Sequence, residues 1–392
     1  MKKLTVCFLS LFSLLFALLL TQGCGINPAT GKKEFQFVSD KKEIKMGEQN
    51  YPYGQQSSGG LFIHDAELSR YVQSVGQKLA PFSNRPNLPY EFKIVNHSVP
   101  NAWAMPGGKI VINRGLLIQL ESEAELAAVL GHEITHAALR HGAKSMERAM
   151  VITASMVAAN IFIQQNNNTL QKQAVLGTAA LSAMLLQTKY SRNAELEADK
   201  YGMDYMVKAG YDPAGAVQLQ ALFMKMLDKK SPHWVEGLFA SHPPSKERLK
   251  QNEAYAKTLP KGFLGKDIFQ QKIAQLKKWA PAYQAFDDGL EALHKKKYTK
   301  AHELATKAIL LFPNEGLFYQ LRGAIFFQEK DYPKAIEAFT ESIAKNPHYF
   351  YPYQQRGYCH KKMRNFKQAK LDLDKSQALF PLEETKLAIE SF

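Results

Sequence analysis

Residues 130-LGHEITHAALRHG-142 carry three histidines, His132, His136 and His141, with Glu133 beside the first. The surrounding 124-AELAAVLGHEITHAALRH-141 is built from strong helix formers. Ser122 followed three residues later by Glu125 has the capping-box pattern that opens a helix, and Gly142 is the expected stop. With about 3.6 residues per turn, His132 and His136 point only about 40° apart, so both imidazoles can reach one ion. Glu133 is rotated about 100° from His132, close enough to address a water on that ion but unable to ligate beside both histidines. This is the HExxH arrangement, with the glutamate as general base.

A tetrahedral catalytic zinc takes three protein ligands and keeps one open position, so a third ligand is required. His141 lies nine residues past His132, about 900° of rotation, on the opposite side of an unbroken helix. It also misses the metzincin spacing, because Leu139 stands where that pattern has glycine and Gly142 where it has the third histidine. Unless the helix breaks early, His141 serves the helix C-terminus instead. The segment 190-YSRNAELEADKYGMDYM-206 offers the replacement. There Glu195 and Asp199 share a helical face while Glu197 turns away. That pairing assigns Glu195 to the metal, Asp199 to orienting a metal-bound histidine, and Glu197 to solvent.

The chain has 392 residues, enough for two or three domains. It starts with Met1-Lys2-Lys3, runs apolar from Leu4 to Leu20 and reaches 20-LTQGC-24, the layout of a secretory signal peptide over residues 1–23. Gly23 before Cys24 resembles the lipobox of bacterial lipoproteins, in which cleavage leaves the cysteine as a lipidated N-terminus. Glycine rather than aspartate at position 25 implies, by the same resemblance, sorting to the outer membrane. Cys7 would leave with the signal and Cys24 would carry lipid, so Cys359 stands alone as a small buried hydrophobe and no intramolecular disulfide is expected. The formal charge of +14 is scattered among acids, which suits a basic surface near anionic lipid and gives no nucleic-acid groove.

After Cys24, 25-GINPATGKKEFQFVSDKKEIKMGEQ-49 reads as a polar tether leading into a helix-like segment, with the tether placed over residues 24–60. Residues 65–80 have helical apolar spacing, through Leu68, Val72, Val75 and Leu79. Residues 90–97 and 109–117 read as strands separated by the turn-forming 106-PGG-108, so a small sheet precedes the metal helix. Residues 149–163 and 174–187 are mostly apolar, and each run is shorter than the roughly 20 residues a spanning helix needs. They are expected as a helical hairpin over the core, and their place between the metal-site halves makes 149–187 a candidate lid. A linker is expected over 261–281. Beyond it Gly289, Gly323 and Gly357 recur every 34 residues, as do Ala301, Ala335 and Ala369, and Pro313, Pro347 and Pro381. This register resembles three tetratricopeptide repeats over 282–392, closed by a helix near 383–392.

HEITH at 132–136 (in this chain, followed by 195-ELEAD-199), 101-NAWAMPGGKIVINRGLL-117 and 241-SHPPSKERL-249 together resemble the HtpX-like and CAAX-protease-like family of zinc metallopeptidases, over roughly residues 25 to 260. The implied fold is mainly α with a small β-sheet, an α+β gluzincin-like peptidase domain over 61–260, followed by the all-α repeat solenoid. The resemblance implies one zinc ion held by His132, His136 and Glu195, with Glu133 as base. It also implies a strand at Asn101, Ala102, Trp103 and Ala104 along which substrate backbone aligns. Core packing is the other reading of Trp103 and Met105. A donor to the oxyanion is needed, and Arg192, Tyr190, Arg248 and His242 stand unranked for it. Related periplasmic enzymes imply a further role for His242, in the Pro-stiffened 241-SHPP-244: a removable fourth ligand, set against a structural loop histidine. The implied whole is an envelope endopeptidase, periplasmic and lipid-anchored at Cys24. Its implied clients are unfolded or stalled outer-membrane proteins, and its repeats would contact them or the β-barrel assembly machinery. Two other readings are a chaperone or adaptor with latent proteolysis, and an integral membrane protease whose 149–187 block spans a bilayer.

Overall fold

The computed structural model describes residues 24–28, 31, 33–36, 38–148, 190–228 and 242–392. The expected signal segment and the expected 149–187 lid lie outside the described residues. A short antiparallel hairpin, β1 (Cys24–Ile26) with β2 (Lys33–Phe35), leads to helix α1 (Asp40–Ser57), whose first turn is capped by Ser39. The tether expected over 24–60 is therefore folded, and the reason lies in charge pairing rather than apolar spacing. Glu43 is fully buried between Arg85 (3.1 Å) and Arg140 (2.8 Å). Tyr51 donates its hydroxyl to the Ile110 carbonyl at 2.7 Å, tying α1 to the sheet.

Helix α2 (Ala66–Leu79), capped by Asp65, packs its Leu68, Val72, Val75 and Leu79 stripe into the core, as the helical spacing requires. The sheet runs β3 (Glu91–Val95), β4 (Ala102–Met105) and β5 (Lys109–Asn113), in the spatial order β3-β5-β4. β5 is central, parallel to β3 and antiparallel to β4, so β4 forms an edge of this sheet. Gly107 and Gly108, at φ 78° and 84°, close the turn between β4 and β5 in a conformation that side chains resist. The pleat sends Trp103 and Met105 under α1, against Tyr51, Val95 and Val111. Ala102 and Ala104 take the other face, toward the metal helix. Trp103 and Met105 are thus core residues.

Helix α3 (Glu123–Ala138) carries the HExxH stretch and starts with Ser122 accepting from the Glu125 amide at 3.2 Å. It stops earlier than the sequence implied. Leu139 caps it, Arg140 turns left-handed at φ 61°, and residues 141–148 resume as a separate helical segment containing Gly142. A left-handed non-glycine residue costs about 1–2 kcal/mol. Ion pairs from Arg140 to Glu43 and Glu147 offset that cost.

Next come α4 (Arg192–Lys208), α5 (Ala214–Asp228) and α6 (Lys246–Ala256). Helices α3 and α4 cross at Gly131 and Gly202, backbone against backbone: a Cβ on Gly131 would sit 2.9 Å from the Gly202 carbonyl, and one on Gly202 2.9 Å from the His132 nitrogen.

The repeats form helix pairs: α7 (Ala274–His294) with α8 (Tyr298–Leu311), α9 (Gly316–Gln328) with α10 (Tyr332–Lys345), and α11 (Phe350–Lys362) with α12 (Phe366–Leu379), capped by α13 (Glu383–Glu390). Ala301, Ala335 and Ala369 are fully buried, which explains their 34-residue register as close helix contact. The linker expected over 261–281 is part of the fold instead. Phe269, Ile273 and Leu276, spaced to share a helical face, are fully buried. At the junction, Arg114 lies over the Tyr283 ring at 3.4 Å, and buried Glu315 accepts from Asn96 (2.7 Å) and Tyr283 (2.6 Å). Among the described residues, no helix is long and apolar enough to cross a membrane.

Gly202→Ala tests the crossing. The usual gain of a helical alanine, about 1 kcal/mol, is reversed by the backbone clash, and a net loss of about 1–3 kcal/mol in urea unfolding is expected, with weaker metal retention.

Candidate metal centre

Four buried side chains bring metal-ligating atoms to within 4.8 Å of one another: His132, His136, Glu195 and His242. The two α3 imidazoles place their Nε2 atoms 3.0 Å apart. From α4, Glu195 Oε2 lies 3.5 Å from His132 Nε2, and Oε1 lies 3.4 Å from His136 Nε2. From the loop before α6, His242 Nδ1 is 3.0 Å from Glu195 Oε1 and 3.3 Å from His132 Nε2. An ion with bonds of about 2.0–2.1 Å in tetrahedral geometry holds its donors about 3.3–3.4 Å apart. The observed spacing fits such an ion, and the imidazole and carboxylate donor set suits a divalent transition metal.

Glu133 is buried beside this cluster, with Oε1 3.7 Å from His242 Nε2, and its Oε2 has no hydrogen-bond partner among the described residues. Burial raises its carboxyl above the usual carboxylate value, against the pull of His242 and His132. Burial pushes Glu195 the same way, yet the charge of His242 and hydrogen bonds from His132, His136 and His242 hold it well below that value. Burial and neighbouring charge thus pull the two carboxyls in opposite directions, Glu133 upward and Glu195 downward.

Asp199 Oδ1 lies 3.0 Å from His132 Nδ1. Arg248 grips that carboxylate with two bonds, Nε to Oδ2 at 2.8 Å and NH2 to Oδ1 at 2.7 Å. It also reaches Glu195 Oε2 at 2.8 Å and the Pro243 carbonyl at 3.1 Å. Its guanidinium is committed to these partners, so Arg248 orients the site and is not free to meet a reacting oxygen. Arg192 is mostly exposed and pairs with Glu247, away from the cluster. Tyr190 is buried and stacks on His136, centroids 3.9 Å apart.

His141 departs from its expected place, while Glu197 keeps a half-exposed side chain. The early helix end swings His141 back, so that its Nδ1 lies 2.9 Å from His136 Nδ1, and Glu197 approaches His141 Nε2 at 3.2 Å. Rotation counted along an unbroken helix missed the turn of His141, and with it the contact to Glu197. Arginine at 140 gives no ordinary sign of a left-handed break.

Beside the donors lies a narrow apolar recess lined by Ala102, Leu116, Val129, Met203, Leu219 and Phe223, with His132 and Glu133 at its edge. A HExxH helix crossed by a second helix that supplies a carboxylate, opening on such a recess, defines the metallopeptidase class. The model of Peptidase family M48 matches residues 66–256. The β-barrel assembly-enhancing protease of Escherichia coli K12 is 27% identical over 220 residues, covering 55% of this chain and 42% of that protein. Its counterpart from Yersinia pestis is 28% identical over 227 residues, covering 57% and 45%. Metalloprotease YcaL of Escherichia coli K12 is 31% identical over 184 residues, covering 47% and 69%. The chain belongs to peptidase family M48. Its match spans less than half the length of the two assembly-enhancing proteases.

Arg248→Leu would leave two buried carboxylates without their countercharge. Loss of about 3–5 kcal/mol of stability is expected, measured by chemical unfolding. Arg248→Lys should keep the charge but lose the two-pronged grip, with metal affinity reduced roughly 10–100-fold in chelator competition.

Proposed function

We propose that this chain is a zinc endopeptidase of the bacterial envelope that acts on misfolded or stalled outer-membrane proteins. The observation that carries the reading is the convergence of His132, His136 and Glu195 donors around a point beside buried Glu133. In this reading those three residues hold zinc. The chemistry zinc supplies when bound is polarisation of the scissile carbonyl and acidification of the attacking water.

The protein's own part is to align, to move a proton and to exclude solvent. An extended substrate adds along β4, the edge strand among the described residues, where backbone hydrogen bonds fix its register and small Ala102 and Ala104 face the metal helix. The apolar recess takes a substrate side chain next to the scissile bond. Glu133, raised by burial, accepts the proton from the attacking water and delivers it to the leaving amine. His242 completes the donor set at rest and must leave for substrate to enter. In support, its Nδ1 stands among the ligating atoms, on a loop held by Pro243 and Pro244. Tyr190 and His242 remain candidates to stabilise the oxyanion, and Asp199 to orient His132.

The envelope setting draws on 20-LTQGC-24, which suits lipid attachment at Cys24 and a periplasmic site on the outer membrane, and on the names of the relatives. The tetratricopeptide helices serve to dock clients or the assembly machinery.

Glu133→Gln should retain zinc and lower kcat for an unfolded protein such as casein roughly 10²–10⁴-fold. Wild-type turnover in that variant would remove the enzyme reading and leave the adaptor. His242→Ala should raise basal cleavage, and an unchanged or lower rate would discard the blocking role.

A further inference from the structure

The metal-facing nitrogen of an imidazole is set by what its other nitrogen does. His132 meets this requirement through Asp199. His136, the second histidine of the HExxH pair, has no carboxylate at its Nδ1. Among the described residues its Nδ1 partner is instead His141 Nδ1 at 2.9 Å, and His141 in turn has Glu197 Oε2 at 3.2 Å from its Nε2. His136 and His141 are both buried, while the Glu197 side chain is 45% exposed.

We propose that His141 and Glu197 form a relay that positions His136 and holds it in the metal-binding tautomer. With both imidazoles neutral, the partners leave one consistent proton arrangement. An Nδ1-to-Nδ1 contact of 2.9 Å needs one proton between two nitrogens. Were His141 the neutral donor, its bare Nε2 would face the Glu197 carboxylate, lone pair against lone pair. With the proton on His136 Nδ1 instead, His141 accepts it and donates its own Nε2–H to Glu197. His136 Nε2 is then bare and faces Glu195 and His132. Tyr190, stacked on the His136 ring at a 22° interplanar angle, fixes the plane in which this hydrogen bond is made. The left-handed break at Arg140 makes the relay possible, since a continuous helix would carry His141 to the far side.

The relay rests on the reading of His136 as a metal ligand. His141 and Glu197 are positioning residues in it, touching neither metal nor substrate. The alternative role for His141 is simple space filling, and zinc affinity separates the two. The full chain and its His141→Phe, Glu197→Ala and Glu197→Gln variants are titrated with zinc against a chromophoric chelator, and the cobalt-substituted forms are compared by visible absorption. His141→Phe keeps bulk without a hydrogen bond and should weaken zinc roughly 10–100-fold, the range usual for loss of an orienting partner. Glu197→Ala should weaken it in the same direction, and Glu197→Gln, which keeps an acceptor, should recover most of that loss. The cobalt bands should shift in the first two and return toward wild type in the third. Zinc affinity and cobalt spectra unchanged in His141→Phe and Glu197→Ala would overturn the relay. Should His141→Phe fail to fold, the half-exposed Glu197 pair decides alone. A wild-type chain that binds no zinc is a different result, which removes the ligand reading beneath.

Discussion

The crossing of α3 and α4 at Gly131 and Gly202 is the contact on which the site depends. With no Cβ on either residue, the two backbones meet within van der Waals range, one residue from His132. This closeness lets a carboxylate on one helix reach imidazoles on the other without long side chains in between. The spacings of 3.4 and 3.5 Å from the Glu195 carboxylate to the two imidazoles across the helices follow from it. Any side chain at the crossing would open the gap by more than such a site tolerates.

Around that crossing the protein buries an unusual number of ionisable groups, and their mutual arrangement makes this bearable. Glu133, Glu195, Asp199, Arg248, His136 and His242 are all nearly inaccessible. Isolated charges there would be strongly unfavourable, and only paired and hydrogen-bonded ones are tolerated. Arg248 is the centre of the pairing, because one planar guanidinium serves Asp199, Glu195 and the Pro243 carbonyl together. The loop carrying His242 and the arginine that fixes the carboxylates are therefore mechanically joined, and displacement of His242 would strain the bond to Pro243. The same logic extends away from the site. Glu43 draws Arg85 and Arg140 inward, α1 is held to the domain, and Arg140 in its left-handed turn aims His141.

The repeats are joined to the peptidase domain by a comparable polar core. Glu315, at the start of α9, receives Asn96 and Tyr283, while Arg114 at the end of β5 lies on the Tyr283 ring. Trp279 and Phe312 stack at 4.4 Å beside Phe62 and His64. The first repeat thus packs beside the end of β5, the strand that pairs with β4, so the repeats and the sheet share one support.

Local pattern made much of this legible. Four-residue spacing put His132 and His136 on one face, a shared face paired Glu195 with Asp199, and a 34-residue register revealed the helix pairs. Such features depend on helix geometry, which is the same in every chain. What escaped depends on partners distant in sequence. α1 looked like tether because its burial rests on ion pairs across the domain, and the segment before the repeats looked like linker although Phe269, Ile273 and Leu276 already shared a face. Arg192 and Arg248 were indistinguishable as letters. Only packing turned one to the surface and the other onto Asp199. By itself the sequence determined which side chains could meet on one helix, and so the HExxH chemistry. Tertiary structure alone decided where α3 ends, and with it whether His141 faces away or backs His136. That break is stabilised by Glu147 nearby and by Glu43, 97 residues away, which no local window contains.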